Sequence, residues 1–234
     1  MSKQLALPKN FRVAIGMPCG SHVPYQTMLS LARTTGGLIS RGISYDMLCV
    51  AGSSIVSVAR NAVLTLFLDT TKADVLFWID SDMSWSVEDF VYLCALSTRF
   101  DVVSGLYPSK TTPPHVILNT PGDEYELNSF GLVKTTGTGL GFTIMRRHVL
   151  EKWVAGKQKE STLVPGGERH VYKAFTLDKA GEDVQMFREL RDLGITGWVD
   201  PSVKLGHIGT YEYRVDPLAE LGLTDIYKQH QPKE

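Results

Sequence analysis

Asp80, Ser81 and Asp82 follow the apolar run Val75–Ile79 and set two carboxylates one residue apart, where a buried strand gives way to a loop. Carboxylates at that spacing on a turning backbone can converge on one hard cation, and the cation can bridge the oxygens of a diphosphate. The position suits such work, because open α/β sheets bind ligands beyond the carboxyl ends of their strands. The plainer reading is an acidic loop that caps the next helix.

Other residues add chemistry. Arg60 and Asn61 interrupt the small, apolar start of a helical pattern, so at least one faces a ligand or a buried partner. A guanidinium there can hold a phosphate or an acidic loop; the alternative is a surface pair. Glu182 and Asp183 open another helix, where the dipole alone favours acids. The functional reading makes one of them a general base and the other its orienting or substrate-binding neighbour. His207 lies between Gly206 and Gly209, small neighbours that let a ligand or metal approach. A neutral imidazole there would complete a metal shell begun by Asp82, although a lone histidine more often serves as a structural hydrogen-bonder. Gly137, Gly139 and Gly141 precede a strand rather than a helix, so they form no dinucleotide fingerprint. They mark a bulged turn or a place where backbone approaches a sugar.

These residues need a scaffold. Arg12–Met17 reads as a buried strand that stops at Pro18, Tyr25–Ile39 as a helix and Ser44–Val50 as a second strand. Ala59, Ala62, Val63, Leu66 and Phe67 fall on one helical stripe, with Ser53 or Ser54 as N-cap. After the strand Val75–Ile79, Ser86 and Asp89 form a capping box for a helix over Val87–Ser97, and Val102–Ser104 is another strand. The alternation predicts a parallel sheet covered by helices. Prolines between 108 and 121 punctuate short strand-like pieces, which predicts hairpins. Gly139–Met145 reads as a strand, Arg147–Ala155 as a helix, and Gly156–Lys173 as a mobile loop with its tip at Pro165-Gly166-Gly167. Glu182–Leu193 is a helix closed by Gly194, and two short strands and a polar tail follow. The expectation is one α/β domain over residues 1–234, with a mostly parallel central sheet flanked by helices and a smaller antiparallel hairpin region in the C-terminal half.

Composition narrows the classes. The 234 residues are 43% hydrophobic and 21% charged, which excludes a disordered chain and a disulfide scaffold. Lys plus Arg total 24 against 25 Asp plus Glu, so a globally basic nucleic-acid coat is excluded. Cys19, Cys49 and Cys94 have no metal-ligand spacing and read as reduced, buried thiols. No segment approaches the ~18 apolar residues of a membrane span. The first ten residues lack the apolar core of a signal peptide. A cytoplasmic location is the expectation.

The order of these features carries more than any one of them. An apolar strand runs to Pro18; Ala59-Arg60-Asn61 follows, then Trp78-Ile79-Asp80-Ser81-Asp82. Next come Gly139-Leu-Gly-Phe-Thr-Ile-Met-Arg-Arg147 and Gly181-Glu-Asp-Val-Gln-Met-Phe-Arg-Glu-Leu-Arg-Asp-Leu-Gly194, and His207 closes the series. From Arg12 to Gly209 the chain resembles the family 2-like glycosyltransferases of the GT-A fold, of the soluble phage and bacterial type. The resemblance implies a GT-A-like domain with a nucleotide-binding half near 12–105, an acceptor and catalytic half near 106–209, and a tail over 210–234. It implies a hexosyl or related transfer from a nucleotide diphosphate sugar, usually a UDP-sugar, with Mn2+ or Mg2+. Asp80 and Asp82 match the D-x-D that holds ribose and metal, and Ser81 stands between them. Arg60 matches the ARN arginine near the nucleotide, and Pro18 and Gly139 fall on the donor side. Asp183 matches the acceptor-activating base of inverting members, with Glu182 beside it. His207 is similar to a C-terminal metal-ligand histidine of related families. Pro18-Cys19-Gly20-Ser21-His22 departs from the family's usual wording, so no nucleobase contact is carried over. Some soluble relatives with such a histidine retain configuration, which leaves the stereochemistry open.

Two other readings compete. A haloacid-dehalogenase-like phosphatase would use Asp80 as phosphoryl nucleophile and Asp82 as general acid, but that motif normally ends a first strand. A non-catalytic nucleotide-sugar-binding module would have no need of the acids. The acceptor is not written in the sequence. From Arg146 to Lys173, seven Lys or Arg face three Glu. That excess suits an acidic acceptor, such as a phosphorylated glycan or a nucleic acid with a modified base, drawn in by Lys152, Lys157, Lys159, Arg169 and Lys173. A solvated loop is the bland alternative.

Overall fold

The computed structural model describes residues 5–164, 166–176 and 181–230. In chain order the elements are β1 (Arg12–Cys19), α1 (Tyr25–Ser40), β2 (Ser44–Ala51), α2 (Val56–Thr70), β3 (Val75–Ile79), β4 (Met83–Ser84), α3 (Val87–Leu96) and β5 (Val102–Gly105). There follow β6 (Val133–Thr135), β7 (Phe142–Arg146), α4 (Arg147–Val154), β8 (Lys159–Val164), β9 (Gly167–Tyr172) and α5 (Glu182–Asp192). The chain continues through β10 (Gly197–Asp200), β11 (Gly206–Ile208), β12 (Glu212–Arg214), α6 (Pro217–Glu220) and α7 (Thr224–His230).

Seven strands form the central sheet in the order β2-β1-β3-β7-β5-β10-β6. β1 lies parallel to both β2 and β3, and β10 parallel to β5. β7 runs antiparallel between β3 and β5, and β6 antiparallel on the far edge. The β1–α1–β2 crossover moves one way along the sheet and β2–α2–β3 returns across β1. Right-handed crossovers in opposite directions put α1 and α2 on opposite faces. Two apolar layers follow. One gathers Ala14, Leu76 and Trp78 with Ala62, Val63 and Phe67 of α2; the other gathers Val13, Ile15 and Phe77 with Leu38 of α1 and Phe90 of α3. The reversal of strand order falls between β1 and β3, and a crevice opens at that point beyond the strands' carboxyl ends. Pro18 and Asp80 stand at its two sides.

The mostly parallel sheet and its flanking helices agree with the sequence reading. Several local expectations do not. Ile55, not Ser53 or Ser54, caps α2; the Ser53 hydroxyl turns instead to the Ile55 backbone, and the helix starts without a side-chain cap. Between 108 and 134 there are isolated bridges, Pro108 with Val116 and Leu127 with Val133, rather than regular hairpins. The strand expected from Gly139 begins at Phe142, because Gly139 and Gly141 are pinned against Tyr107.

The expected mobile loop over 156–173 is the β8–β9 hairpin, with Val164 and Val171 buried against α2. The Tyr172 amide donates to Thr65 Oγ1 of α2 at 2.9 Å. Its charges misled the reading because they have partners: Lys159 meets Asp69, Lys157 meets Glu189 and Lys173 meets Glu160. Gly166 and Gly167 turn the hairpin at φ of 96° and 122°, where only glycine is at ease, while Pro165 lies outside the described residues. The polar tail holds β12, α6 and α7 and buries Leu223 and Tyr227. Cys19 and Cys94 are buried as expected, but Cys49 is exposed. Among the described residues no helix is long and apolar enough to cross a membrane.

Candidate active site

Two cavities lie beside the crevice. A cavity of about 240 Å³ is walled by Pro18, Cys19 and Gly20 after β1, by Ser53, Ser54, Val56 and Ala59 at the start of α2, and by Asp80, Ser81, Asp82 and His207. A second, of about 310 Å³, is walled by Tyr107 to Lys110, by Ile117, Asn119, Thr138 and Gly139, and by Asp183, Val184 and His207. His207 belongs to both.

Arg60 organises the floor. It projects from the second turn of α2 and is 4% exposed. Its Nη2 donates to both oxygens of Asp80, at 3.0 and 3.3 Å, and its Nη1 donates to Glu182 Oε1 at 2.6 Å. Burial works against its charge, but Asp80 and Glu182 outweigh burial and hold the guanidinium above its ordinary pKa. The planar fork is what allows one cation to serve two carboxylates from different elements. Asn61, its neighbour, is also buried: its Oδ1 accepts from the amides of Ala174 and Phe175, and its Nδ2 donates to the Phe175 carbonyl. The pair thus fixes both the D-x-D loop and the segment after β9.

Asp82 and His207, far apart in sequence, meet because β4, directly after the D-x-D, pairs with β11. His207 lies opposite Met83, and the Ile208 amide donates to the Asp82 carbonyl at 2.7 Å. A slip of one residue would turn the imidazole to the other face. His207 Nδ1 sits 2.9 Å from the Pro108 carbonyl, so in the neutral ring Nδ1 carries the hydrogen and Nε2 the lone pair. That lone pair faces Asp82 Oδ1 at 3.4 Å. Two acceptors so placed need a proton or a cation between them. With a proton there, burial pushes Asp82 up, but His207 and Lys110 outweigh burial and hold it below the usual carboxylate range.

The divalent cation that the resemblance implies fits this donor pair of one carboxylate oxygen and one imidazole nitrogen. Among the described residues no group of three or more His, Cys, Asp and Glu gathers for a metal. A cation held by this pair would need phosphate oxygens and water to complete its shell, as hard cations are commonly held at diphosphate sites. Asp80, named as a third ligand from the sequence, has both oxygens turned to Arg60.

Gly139 and Gly141 are small because Tyr107 fills the space beside them. A Cβ on Gly139 would overlap the Tyr107 hydroxyl, and one on Gly141 would lie 2.9 Å from Tyr107 Cζ and 3.0 Å from Asp80 Oδ2. The Gly141 amide donates to the Tyr107 hydroxyl at 3.2 Å, and its carbonyl accepts from the Asp80 amide at 3.0 Å. The glycines thus admit a tyrosine, which in turn packs edge-on against His207. Asp183, unlike Glu182, faces the second cavity. Burial pushes its pKa up, against a 2.7 Å hydrogen bond from the Val184 amide and the charge of Arg60.

Pro18, Arg60, Asp80, Ser81, Asp82, Gly139, Glu182, Asp183 and His207 therefore gather at one sheet edge, whereas Lys152, Lys157, Lys159, Arg169 and Lys173, singled out for an acidic acceptor, line neither cavity. Tyr107 and Lys110 were missed. The glycine spacing was a signal that something bulky packs there. For Lys110, whose Nζ lies 2.5 Å from Asp82 Oδ2, the sequence held no signal.

No family model and no curated protein sequence matches the chain. Solved structures do. The crystal structure of A197 from STIV superposes with a TM-score of 0.56 at 21% identity, over 88% of this chain and 90% of that one. A complex of a mutant Drosophila β1,4-galactosyltransferase 7 with manganese, UDP-Gal and xylobiose gives a TM-score of 0.44 at 12% identity, over 79% of this chain and 63% of that one. The first likeness is one of fold.

Proposed function

We propose that this chain is a metal-dependent glycosyltransferase that moves a sugar from a nucleotide diphosphate sugar, a UDP-sugar, to a hydroxyl acceptor. One observation carries the reading: Asp82 and His207 face each other at 3.4 Å beside a cavity at the switch point of the sheet, and that cavity shares His207 as a wall with a second one bearing Asp183. A phosphatase needs one pocket for one phosphate. A transferase needs adjoining places for donor and acceptor with ionisable groups at the junction.

In this reading Asp82 and His207 would hold the cation, which would supply positive charge against the diphosphate leaving group. The uncapped start of α2, lining the donor cavity, presents backbone N–H groups and a positive dipole end to phosphate. Arg60 keeps Asp80 turned to the cavity edge, where one carboxylate oxygen can accept from a ribose hydroxyl. Asp183 takes the proton of the acceptor hydroxyl during in-line attack; its raised pKa makes it a better base than an ordinary surface carboxylate. Glu182 is fixed by Arg60 and orients the helix start that carries Asp183.

The test is a panel of nucleotide sugars with Mn2+ or Mg2+, read by nucleoside diphosphate release and by mass spectrometry of products. Metal-dependent UDP release, abolished by chelator, supports the reading. Phosphate release from simple phosphomonoesters would move the assignment to the phosphatase. Donor binding without hydrolysis or transfer would move it to the binding module.

A further inference from the structure

We infer that Lys110 is the cation that receives the donor's diphosphate, and that without donor it covers the metal-binding carboxylate Asp82. The inference rests on the nucleotide-sugar reading and extends it to a residue with no counterpart among the motifs of the sequence.

Asp82 divides its two oxygens. Oδ1 faces His207 Nε2 at 3.4 Å, and Oδ2 accepts from Lys110 Nζ at 2.5 Å. Lys110 and a divalent cation bound between Oδ1 and His207 would therefore compete for the charge of one carboxylate, each at its own oxygen. The competition is one of side chain alone, because the Lys110 loop is tied on both flanks. The Pro108 carbonyl meets His207 Nδ1 at 2.9 Å, the Ser109 amide donates to the His115 carbonyl at 2.7 Å, and Thr112 Oγ1 meets the Tyr211 hydroxyl at 3.0 Å. The Val116 amide donates to Glu220 Oε1 at 2.9 Å. The lysine side chain is 36% exposed and so can swing while its backbone stays.

Its location says where it swings. Lys110 lines the acceptor-side cavity with Asp183, while its partner Asp82 lines the donor cavity, and His207 lines both. The ammonium thus stands at the junction, where the bond between sugar and diphosphate must lie for Asp183 to reach the acceptor. Arg60 cannot serve there, since Asp80 and Glu182 already occupy it. A divalent cation at Asp82 would neutralise the carboxylate and repel Lys110, and the nearest new anion is the incoming diphosphate. A flexible point charge suits a phosphate whose charge changes during reaction. Metal alone would leave the lysine facing a second cation across the same carboxylate; metal with diphosphate gives it a new partner. The two ligands should bind cooperatively for this reason.

The experiment compares wild type with Lys110→Ala and Lys110→Arg, each checked for folding by thermal melt. Mn2+ binding without nucleotide is read by electron paramagnetic resonance, and UDP binding at saturating Mn2+ by calorimetry. The expected pattern has opposite signs. Lys110→Ala binds Mn2+ alone severalfold more tightly and binds UDP roughly tenfold more weakly, while Lys110→Arg keeps most of the UDP affinity. A surface ion pair that only steadies the loop would change neither affinity. Unchanged UDP affinity in Lys110→Ala, or unchanged Mn2+ affinity, overturns the inference while leaving the nucleotide-sugar reading in place. A wild-type protein that binds Mn2+ but no UDP overturns that reading, and the role of Lys110 with it.

Discussion

Arg60 donates to Glu182 at 2.6 Å and so ties the start of α5 to the second turn of α2. The same guanidinium carries Asp80, so one buried cation ties the loop after β3 to the start of α5. Arg60→Ala leaves two carboxylates without their cation and should cost about 3–5 kcal/mol of stability, read by denaturant unfolding. Arg60→Lys keeps the charge but not the fork, and should lose most donor affinity. A lysine variant that melts and binds donor like wild type would show that the shared fork is dispensable.

Asp82→Ala should remove Mn2+ binding and transfer without unfolding the protein. The β4–β11 ladder uses the Asp82 carbonyl, which alanine keeps. His207→Ala should weaken Mn2+ binding and also release the Pro108 carbonyl, so its melting temperature should fall more than that of Asp82→Ala. Full activity in excess chelator would defeat the metal site altogether.

Asp183→Asn should abolish turnover while UDP binding stays within about twofold. Burial raises the Asp183 pKa in the folded state. A carboxyl with a raised folded pKa adds stability that is fully present below its unfolded pKa and lost as pH rises through the folded one. At neutral pH the ionised group is therefore a cost, and Asp183→Asn should melt higher than wild type, with the gap closing in acid. Turnover of the wild type should fall as pH drops through the same raised pKa. Retention at the anomeric carbon of the product would exclude the direct base role.

Gly139→Ala should cost about 1–3 kcal/mol, because the new methyl overlaps the Tyr107 hydroxyl. Tyr107→Phe in the same chain should recover part of the loss. Additive effects of the two substitutions would mean that Tyr107 is not what the glycine accommodates.

Cys49 is exposed, and its Sγ lies 3.3 Å from that of Cys19. The hydrogen bond from Cys19 lowers the Cys49 pKa to about 7 against the opposing effect of burial. Iodoacetamide should label Cys49 first, with a rate that rises through neutral pH, while buried Cys94 stays unlabelled. Peptide mapping that finds Cys19 labelled first would reverse the assignment.

The sheet and most of the site were legible because their signals are local. Val75–Ile79 is apolar at every position, and Arg60-Asn61 disturbs an otherwise apolar helix start, which is a mark of buried polar work. The β8–β9 hairpin was not legible, because its lysines looked solvated until Asp69 and Glu189 were seen beside them. The reason for Gly139 was hidden for a similar cause: the tyrosine it accommodates lies on another segment. Lys110 belongs to the same class. Its meaning comes from a carboxylate brought to it by β3, and no spacing in the chain records that encounter.

The pairing of β4 with β11 has a consequence for how the protein is made. A ribosome delivers Asp82 long before His207, and contacts of such separation form late, after loop closure has been paid for. A growing chain can hold its first strands and helices in place yet have no second ligand for a cation. Ligand binding should therefore appear abruptly, when the last short strands dock. Removing the chain from β11 onward should yield a protein that retains much of the sheet and has lost Mn2+ affinity.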